Sequence, residues 1–218
     1  MKVVITCGPA VVPIDEVRRL TNFSTGELGV RLANAFVGAG HNVTCFSSAV
    51  STTDLRLDAA VTQRSFLMNE DLARGLADVE AEAVLHAAAL ADFEVIQITD
   101  ETGDAVEGAK ISSRDGELTL RLRPATKVIH DLRARFPAAV IVGWKYELAG
   151  GRDRALAAAR RQLEEGGTDA CVVNGKAWGT GFGLVVRGTD DGVEEFAGKV
   201  GLATGLVRFC EDTWEGRL

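Results

Sequence analysis

The stretch from Met1 to Cys45 constrains the fold more than any other. The apolar run Val3-Val4-Ile5 ends at Thr6-Cys7-Gly8-Pro9, and a polar loop carries Ile14-Asp15-Glu16-Val17-Arg18. After TNFSTGELG, from Thr21 to Gly29, apolar residues recur at Leu28, Leu32, Ala35, Phe36 and Ala39, and Val43-Thr44-Cys45-Phe46 closes the unit. The order is strand, long loop, helix, strand, the opening unit of an open parallel sheet. Such sheets bind ligands beyond the carboxyl ends of their strands. The long loop, rich in small polar residues, is the first place to look for a site.

The later segments extend the same pattern. Val61 to Phe66 reads as a short strand, and Asn69 as the cap of a helix from Glu70 to Val79, with Leu72, Leu76 and Val79 on one face. Ala83 to Ala89 carries no charge apart from His86, the signature of a central parallel strand buried on both faces. Glu94 to Gly108, with two glycines and several acids, reads as an irregular flap, and Glu117 to Leu122 alternates as a half-exposed strand does. Pro124 to Arg135 is expected to be a helix with Val128, Ile129 and Leu132 inward. Val140 to Trp144 is expected to be a buried strand, Arg152 to Glu165 a helix, and Ala170 to Asn174 another strand. Phe182–Val186 and Val193–Phe196 suggest a hairpin around Asp190-Asp191-Gly192, before a closing helix through Val200, Leu206 and Phe209. The expected fold is a single α/β domain over residues 1–218. It is Rossmann-like and three-layered, with a mostly parallel central sheet and a small extra strand and flap region.

Bulk properties narrow the function. With 46% hydrophobic residues the chain can bury a full core, and no apolar run approaches the roughly 20 residues of a membrane helix. A net charge of −7 argues against a nucleic-acid surface, which needs a basic face. Cys7, Cys45, Cys171 and Cys210 form no CxxC pair, and buried free thiols in a reducing cytoplasm are expected. His41, His86 and His130 lack ligand spacing, so no metal site is built on them.

Several residues stand where chemistry could happen, each with a plainer alternative. Gly8 follows a strand, where amides can approach a phosphate, but a tight turn needs glycine equally, and GxGxxG is missing. Ser24-Thr25-Gly26 puts hydroxyls and free amides at a helix amino end, a ready anion site or simply a cap. Asn22 just ahead of it is not explained by capping. Asp92 after the alanine-rich strand could accept from a sugar or base, and Phe93 could stack or join the core. Lys110 is a lone cation behind an acidic flap, usually a solvated charge. Asn174 ends a strand, where a turn former is the simpler reading. Gly179 to Gly183 looks like a phosphate loop but precedes a strand, so a turn fits better.

In combination these segments resemble the phosphopantothenoylcysteine synthetase family, in its stand-alone form. VITCGPAVVPIDEVRRLTNFSTGELG, HAAALADF, AKISS with ELTLRLRPATKVI, VGWKYEL and CVVN are similar to the family's motifs in the same order. The resemblance implies a ligase of coenzyme A biosynthesis. A nucleoside triphosphate, CTP rather than ATP, would activate phosphopantothenate as an acyl-nucleotide, and L-cysteine would displace the nucleoside monophosphate. Mg²⁺ would accompany the triphosphate, with no flavin. By the same resemblance Lys110 and Asn22 are catalytic, with Lys110 neutralising charge on the phosphate and acyl oxygens and Asn22 holding the acyl group. Gly8, Ser24, Thr25, Gly26, Ala87, Ala88, Asp92, Phe93, Lys127, Trp144 and Arg161 would bind nucleotide, and Asn22 and Asn174 the substrate. A homodimer is implied, with the Ile14–Arg18 loop toward the partner. Two departures stand out: Gly8-Pro9-Ala10 replaces Gly-Gly-Thr, and Trp144 replaces Phe. The alternatives are a nucleotide-binding relative without ligase activity and an NADP-dependent oxidoreductase. The latter is weakened because Tyr146 lacks a lysine four residues on.

Overall fold

The computed structural model describes residues 1–114, 116–189 and 192–217. Strands β1 (Lys2–Cys7), β4 (Asn42–Ser48), β5 (Thr62–Phe66), β6 (Ala83–His86), β9 (Val140–Tyr146), β10 (Ala170–Asn174), β11 (Phe182–Val186) and β12 (Val193–Phe196) form one eight-stranded sheet. Its order is β12-β11-β10-β9-β6-β1-β4-β5, and β11 alone runs against the others, so that only the β10–β11 and β11–β12 pairings are antiparallel. Two short antiparallel pairs stand apart: β2 (Val11–Pro13) with β3 (Arg19–Thr21), and β7 (Phe93–Thr99) with β8 (Thr119–Pro124).

Period-two alternation divides each central strand between two cores. Val3, Ile5, Val43, Leu85, Val142 and Val172 pack against Leu32 and Phe36 of α1 (Glu27–Gly38) and Leu202 and Leu206 of α5 (Lys199–Glu215). Val4, Phe46, Val84 and Ile141 face the other way, onto α2 (Asn69–Ala77) and α3 (Val128–Arg135). Cys171 and Val173 face Ala155, Ala159 and Leu163 of α4 (Gly151–Glu165). The result is three layers, as expected from both-face burial of the β1, β6, β9 and β10 runs. Among the described residues no helix is long and apolar enough to cross a membrane. All four cysteines are buried and free.

The chain lays down β1, β4 and β5 in one direction, returns, and adds β6, β9 and β10 on the other side of β1. The direction of winding therefore reverses between β1 and β6, which opens a crevice beyond their carboxyl ends.

Three expectations need correction. The supposed flap begins with an ordered strand, since β7 pairs with β8 from Phe93↔Pro124 to Thr99↔Thr119. Pro124 ends β8 rather than opening a helix, and α3 starts at Val128. Asn69 does not cap α2: the Asp71 carboxylate accepts from the Leu67 and Met68 amides at 3.2 and 2.9 Å, and Asn69 bonds Ala91 instead. The expected β11–β12 hairpin is present, while its turn at Asp190-Asp191 lies outside the described residues.

Candidate active site

On the α1 side of the crevice, Gly8 follows β1 with φ 86° and Gly26 precedes α1 with φ 83°, both conformations that favour glycine. A β-carbon on either would collide with Ser51 Oγ, at 2.2 Å from Gly8 and 2.7 Å from Gly26. The two glycines and Ser51 therefore form one close-packed cradle at the amino end of α1, which no N-cap side chain closes. Thr25 Oγ1 accepts from the Glu27 amide at 3.3 Å, and the Thr25 carbonyl ties down Thr52 and Thr53. Ser24 is half-buried beside them. The Gly8-Pro9-Ala10 turn supplies few amides of its own. Pro9 has none, and Ala10 donates to Ala89 at 3.1 Å while Ala89 donates to Gly8 at 3.0 Å. Free amides for an anion thus come from the start of α1.

On the other side lies a cleft of about 280 Å³, bounded by the ends of β6 and β9 and by α3 and α4. Ala88, Asp92, Lys127 and Trp144 are brought together in its wall, along with His86, His130, Lys145 and Gln162. Asp92 and Lys127 form an ion pair at the cleft, both well exposed. Ala87 packs on the α1–α5 core instead. The Trp144 ring also packs against that core, with its Nε1 buried and unpartnered.

β9 outruns β6, since their pairing stops at Leu85↔Val142. Gln162 takes over where the strand is missing. Its Nε2 donates to the Trp144 carbonyl at 2.9 Å and its Oε1 accepts from the Trp144 amide at 3.2 Å. Gly143 makes room, because a β-carbon there would stand 2.1 Å from the Gln162 amide.

Asn22 lies between the two halves of the crevice, just after β3, and donates from Nδ2 to the carbonyls of Ala89 (3.1 Å) and Leu90 (2.9 Å). Lys110 is exposed, and its segment is held by the other end of the same β2–β3 hairpin. Asp15 Oδ2 accepts from the Ile111 amide at 3.2 Å, Arg18 Nη2 donates to the Ile111 carbonyl at 2.5 Å, and the Glu16 amide donates to Ala109 at 3.0 Å. The Arg18 guanidinium, with the amides of Val17, Ile111 and Arg18, holds the Asp15 carboxyl well below the usual carboxylate range. The Ile14–Arg18 loop thus closes on its own chain.

Beyond the α1 cradle, six predicted residues do not line the cleft: Asn22, Ala87 and Lys110, placed as described above, together with Phe93, Arg161 and Asn174. Phe93 is exposed at the start of β7, Arg161 is exposed on α4, and Asn174 ends β10, its carbonyl accepting from the Glu147 amide at 2.9 Å. Sequence reading missed Asp15, Ser51, His86 and Gln162 as site residues. His86 could have been found as the one polar residue of an apolar central strand, and Gln162 as the amide on the buried face of an alanine- and arginine-rich helix.

Residues 1–187 match the model of the DNA/pantothenate metabolism flavoprotein C-terminal domain family. The chain belongs to this family. It is 31% identical over 183 residues to the coenzyme A biosynthesis bifunctional protein CoaBC of Thermococcus kodakarensis, which covers 82% of this chain and 42% of that protein. The chain spans less than half the length of the curated relatives it matches. In fold it is similar to the DNA/pantothenate metabolism flavoprotein from Streptococcus pneumoniae, with a TM-score of 0.85 and 20% identity over 98% of this chain and 99% of the other. A Cab2 mutant in complex with phosphopantothenate-cysteine superposes with a TM-score of 0.75 and 18% identity, covering 99% of this chain and 88% of that one.

Proposed function

We propose that the protein is a ligase that joins phosphopantothenate to L-cysteine through an acyl-nucleotide, using CTP in preference to ATP. The observation that carries this reading is the two-sided crevice. An open helix amino end lies on one side of the winding reversal, a cleft with Asp92 and Lys127 on the other, and Asn22 is pinned between them. Family membership and the names of the CoaBC and Cab2 proteins point the same way.

Attack of one anion on another is limited mainly by charge and position. The Thr25 and Gly26 amides and the Ser24 hydroxyl would hold phosphate, the Ser24 amide being taken by the Asn22 carbonyl at 2.9 Å; Ala88 would let the nucleoside lie close, and Asp92 would accept from its sugar. Lys127 would release Asp92 to meet a phosphate, and Lys110 would neutralise the developing charge. With both Nδ2 protons given to carbonyls, Asn22 presents Oδ1, an acceptor suited to the cysteine ammonium. Mg²⁺ would arrive on the triphosphate: the described residues offer no cluster of three or more carboxylate, thiol or imidazole ligands for a resident ion, as is common for nucleotide magnesium.

Exposed Val17, Leu20 and Phe23 on the β2–β3 hairpin, with Ile96 and Leu122 on β7–β8, support a homodimer built on these small sheets. Four free buried thiols support a cytoplasmic setting. The test is pyrophosphate release from CTP or ATP in the presence of phosphopantothenate and cysteine. Turnover requiring both co-substrates is expected. A folded protein that turns over neither nucleotide is instead a non-catalytic relative.

A further inference from the structure

His86 ends β6 in the wall of the cleft and is only 7% exposed. Its partner is Thr6, on the neighbouring strand in register with it, with Thr6 Oγ1 2.9 Å from His86 Nδ1. The Ala88 amide already donates to Thr6 Oγ1 at 3.3 Å, so the hydroxyl acts there as an acceptor. The oxygen could accept a second time, but Thr6 has no exposure, and among the described residues Nδ1 is the acceptor within reach of its proton. An imidazole that accepts at Nδ1 and is uncharged carries its hydrogen on Nε2. Burial pushes the ring's pKa down to about 4, so it is neutral at physiological pH. Among the described residues Nε2 has no protein partner. Nε2 is not sealed inside the protein: it falls outside the fully buried unpartnered side-chain atoms of the described residues, so the N–H opens on the cleft, where a ligand or water can accept from it.

Two other polar groups of the wall are already committed, while Thr126 and His130 also face it. Gln162 is occupied by the Trp144 main chain, and Asp92 pairs with Lys127. A neutral N–H is poorly matched to phosphate, which cations and helix amino ends hold better. The cleft volume, near the lower end of small-ligand pockets, suits one base with part of its sugar.

We infer that His86 is a specificity-determining residue whose Nε2–H donates to the ring carbonyl of a pyrimidine nucleotide, favouring CTP or UTP over ATP. Adenine carries no carbonyl, so it cannot repay this donor in the same way. Thr6 is the positioning residue, since its hydroxyl fixes the tautomer that makes the ring a donor. The inference rests on the proposed nucleotide-dependent reading.

The test is equilibrium binding of CTP, ATP and 2-thio-CTP, with Mg²⁺, to the intact wild-type chain and to His86→Leu, alongside ligand-free melting curves. Thiocarbonyl sulfur is a weak acceptor, so wild type is expected to bind 2-thio-CTP about tenfold less tightly than CTP, the worth of one neutral hydrogen bond. His86→Leu is expected to lose about tenfold for CTP, little for ATP, and its discrimination between CTP and 2-thio-CTP. Should His86→Leu fail to fold, the wild-type comparison decides alone: equal affinity for CTP and 2-thio-CTP overturns the inference. An unchanged ratio of CTP to ATP affinity in folded His86→Leu overturns it as well. Wild type that binds no nucleotide overturns both this inference and the proposed function, whereas the other two results leave the ligase reading standing.

Discussion

Replacing Gly29 by alanine tests how α1 is seated on the sheet. A β-carbon at Gly29 would lie 2.0 Å from Cys7 Cβ, 2.9 Å from its Sγ and 3.3 Å from its Cα. Cys7 Cβ is fixed to the central strand, so no rotamer change relieves the overlap. Ordinary carbon contact requires the helix to retreat by roughly 1.5–2 Å. Leu32, Ala33 and Phe36, all fully buried on α1, would lose contacts as it moved. An overlap this deep against a fixed β-carbon belongs in the upper part of the range for overpacking, about 2–3 kcal/mol, and alanine's better helix propensity returns only about 1 kcal/mol. The net expectation is a loss of about 1–2 kcal/mol, or roughly 3–6 °C in Tm for a chain of this size. Gly38, at the far end of the same helix, is the control. Nothing lies within 4 Å of its added β-carbon and its φ is not positive, so Gly38→Ala should gain up to about 1 kcal/mol. Urea and thermal unfolding of both variants measure the pair. A Gly29→Ala protein as stable as wild type would refute the close seating of helix on strand.

Lys110→Gln should slow pyrophosphate release by about two orders of magnitude or more, the usual loss on removing a charge-stabilising group, while melting stays put because the side chain is exposed; unchanged turnover would remove Lys110 from the chemistry. Asp15→Asn should loosen the Ala109–Ile111 segment and lower kcat more than it weakens nucleotide binding, and equal effects on both would contradict the assigned role. Gln162→Leu leaves the Trp144 amide and carbonyl without their partner and should cost about 1–3 kcal/mol in urea unfolding; no loss would mean that water replaces the amide. His86 takes up a proton in the unfolded chain below about 6.5 but in the folded chain only near 4, so acidification favours unfolding through this window. By pH 5 the loss attributable to His86 should be about 2 kcal/mol, and the pH slope of stability should flatten in His86→Leu. Asp92, Lys127, His130, Lys145 and Glu165 share the cleft and are present in both proteins, so the difference between the two slopes isolates the imidazole. Parallel slopes would contradict a buried neutral ring.

The central strands were legible because burial on both faces leaves an apolar run that needs no partner to be recognised, as at Val3–Ile5 and Val140–Val142. The errors came where a distant partner overrides a local rule. Asn69 precedes a helix, as a cap should, yet its amide is taken by Ala91 across the crevice. β7 is a strand only because β8 lies beside it, and the two are separated in sequence by a polar loop that reads as irregular. Within the candidate site the glycines and hydroxyls around α1 were visible from spacing. The Asp92–Lys127 pair was not, because it joins residues 35 apart whose encounter depends on β7 and β8 turning back. The Thr6–His86 contact spans 80 residues and arises only from the order of strands in the sheet.

Because Asp15 and Arg18 clasp both the amide and the carbonyl of Ile111, the neighbouring ammonium is yoked to the hairpin rather than dangling on a free loop. In the proposed homodimer, a subunit leaning on exposed Val17, Leu20 and Phe23 would tilt the hairpin and carry that charge with it, as a lever carries its load. Association and substrate exchange would then share one mechanical stroke, so a lone protomer and a paired one should differ in how fast the lysine arrives.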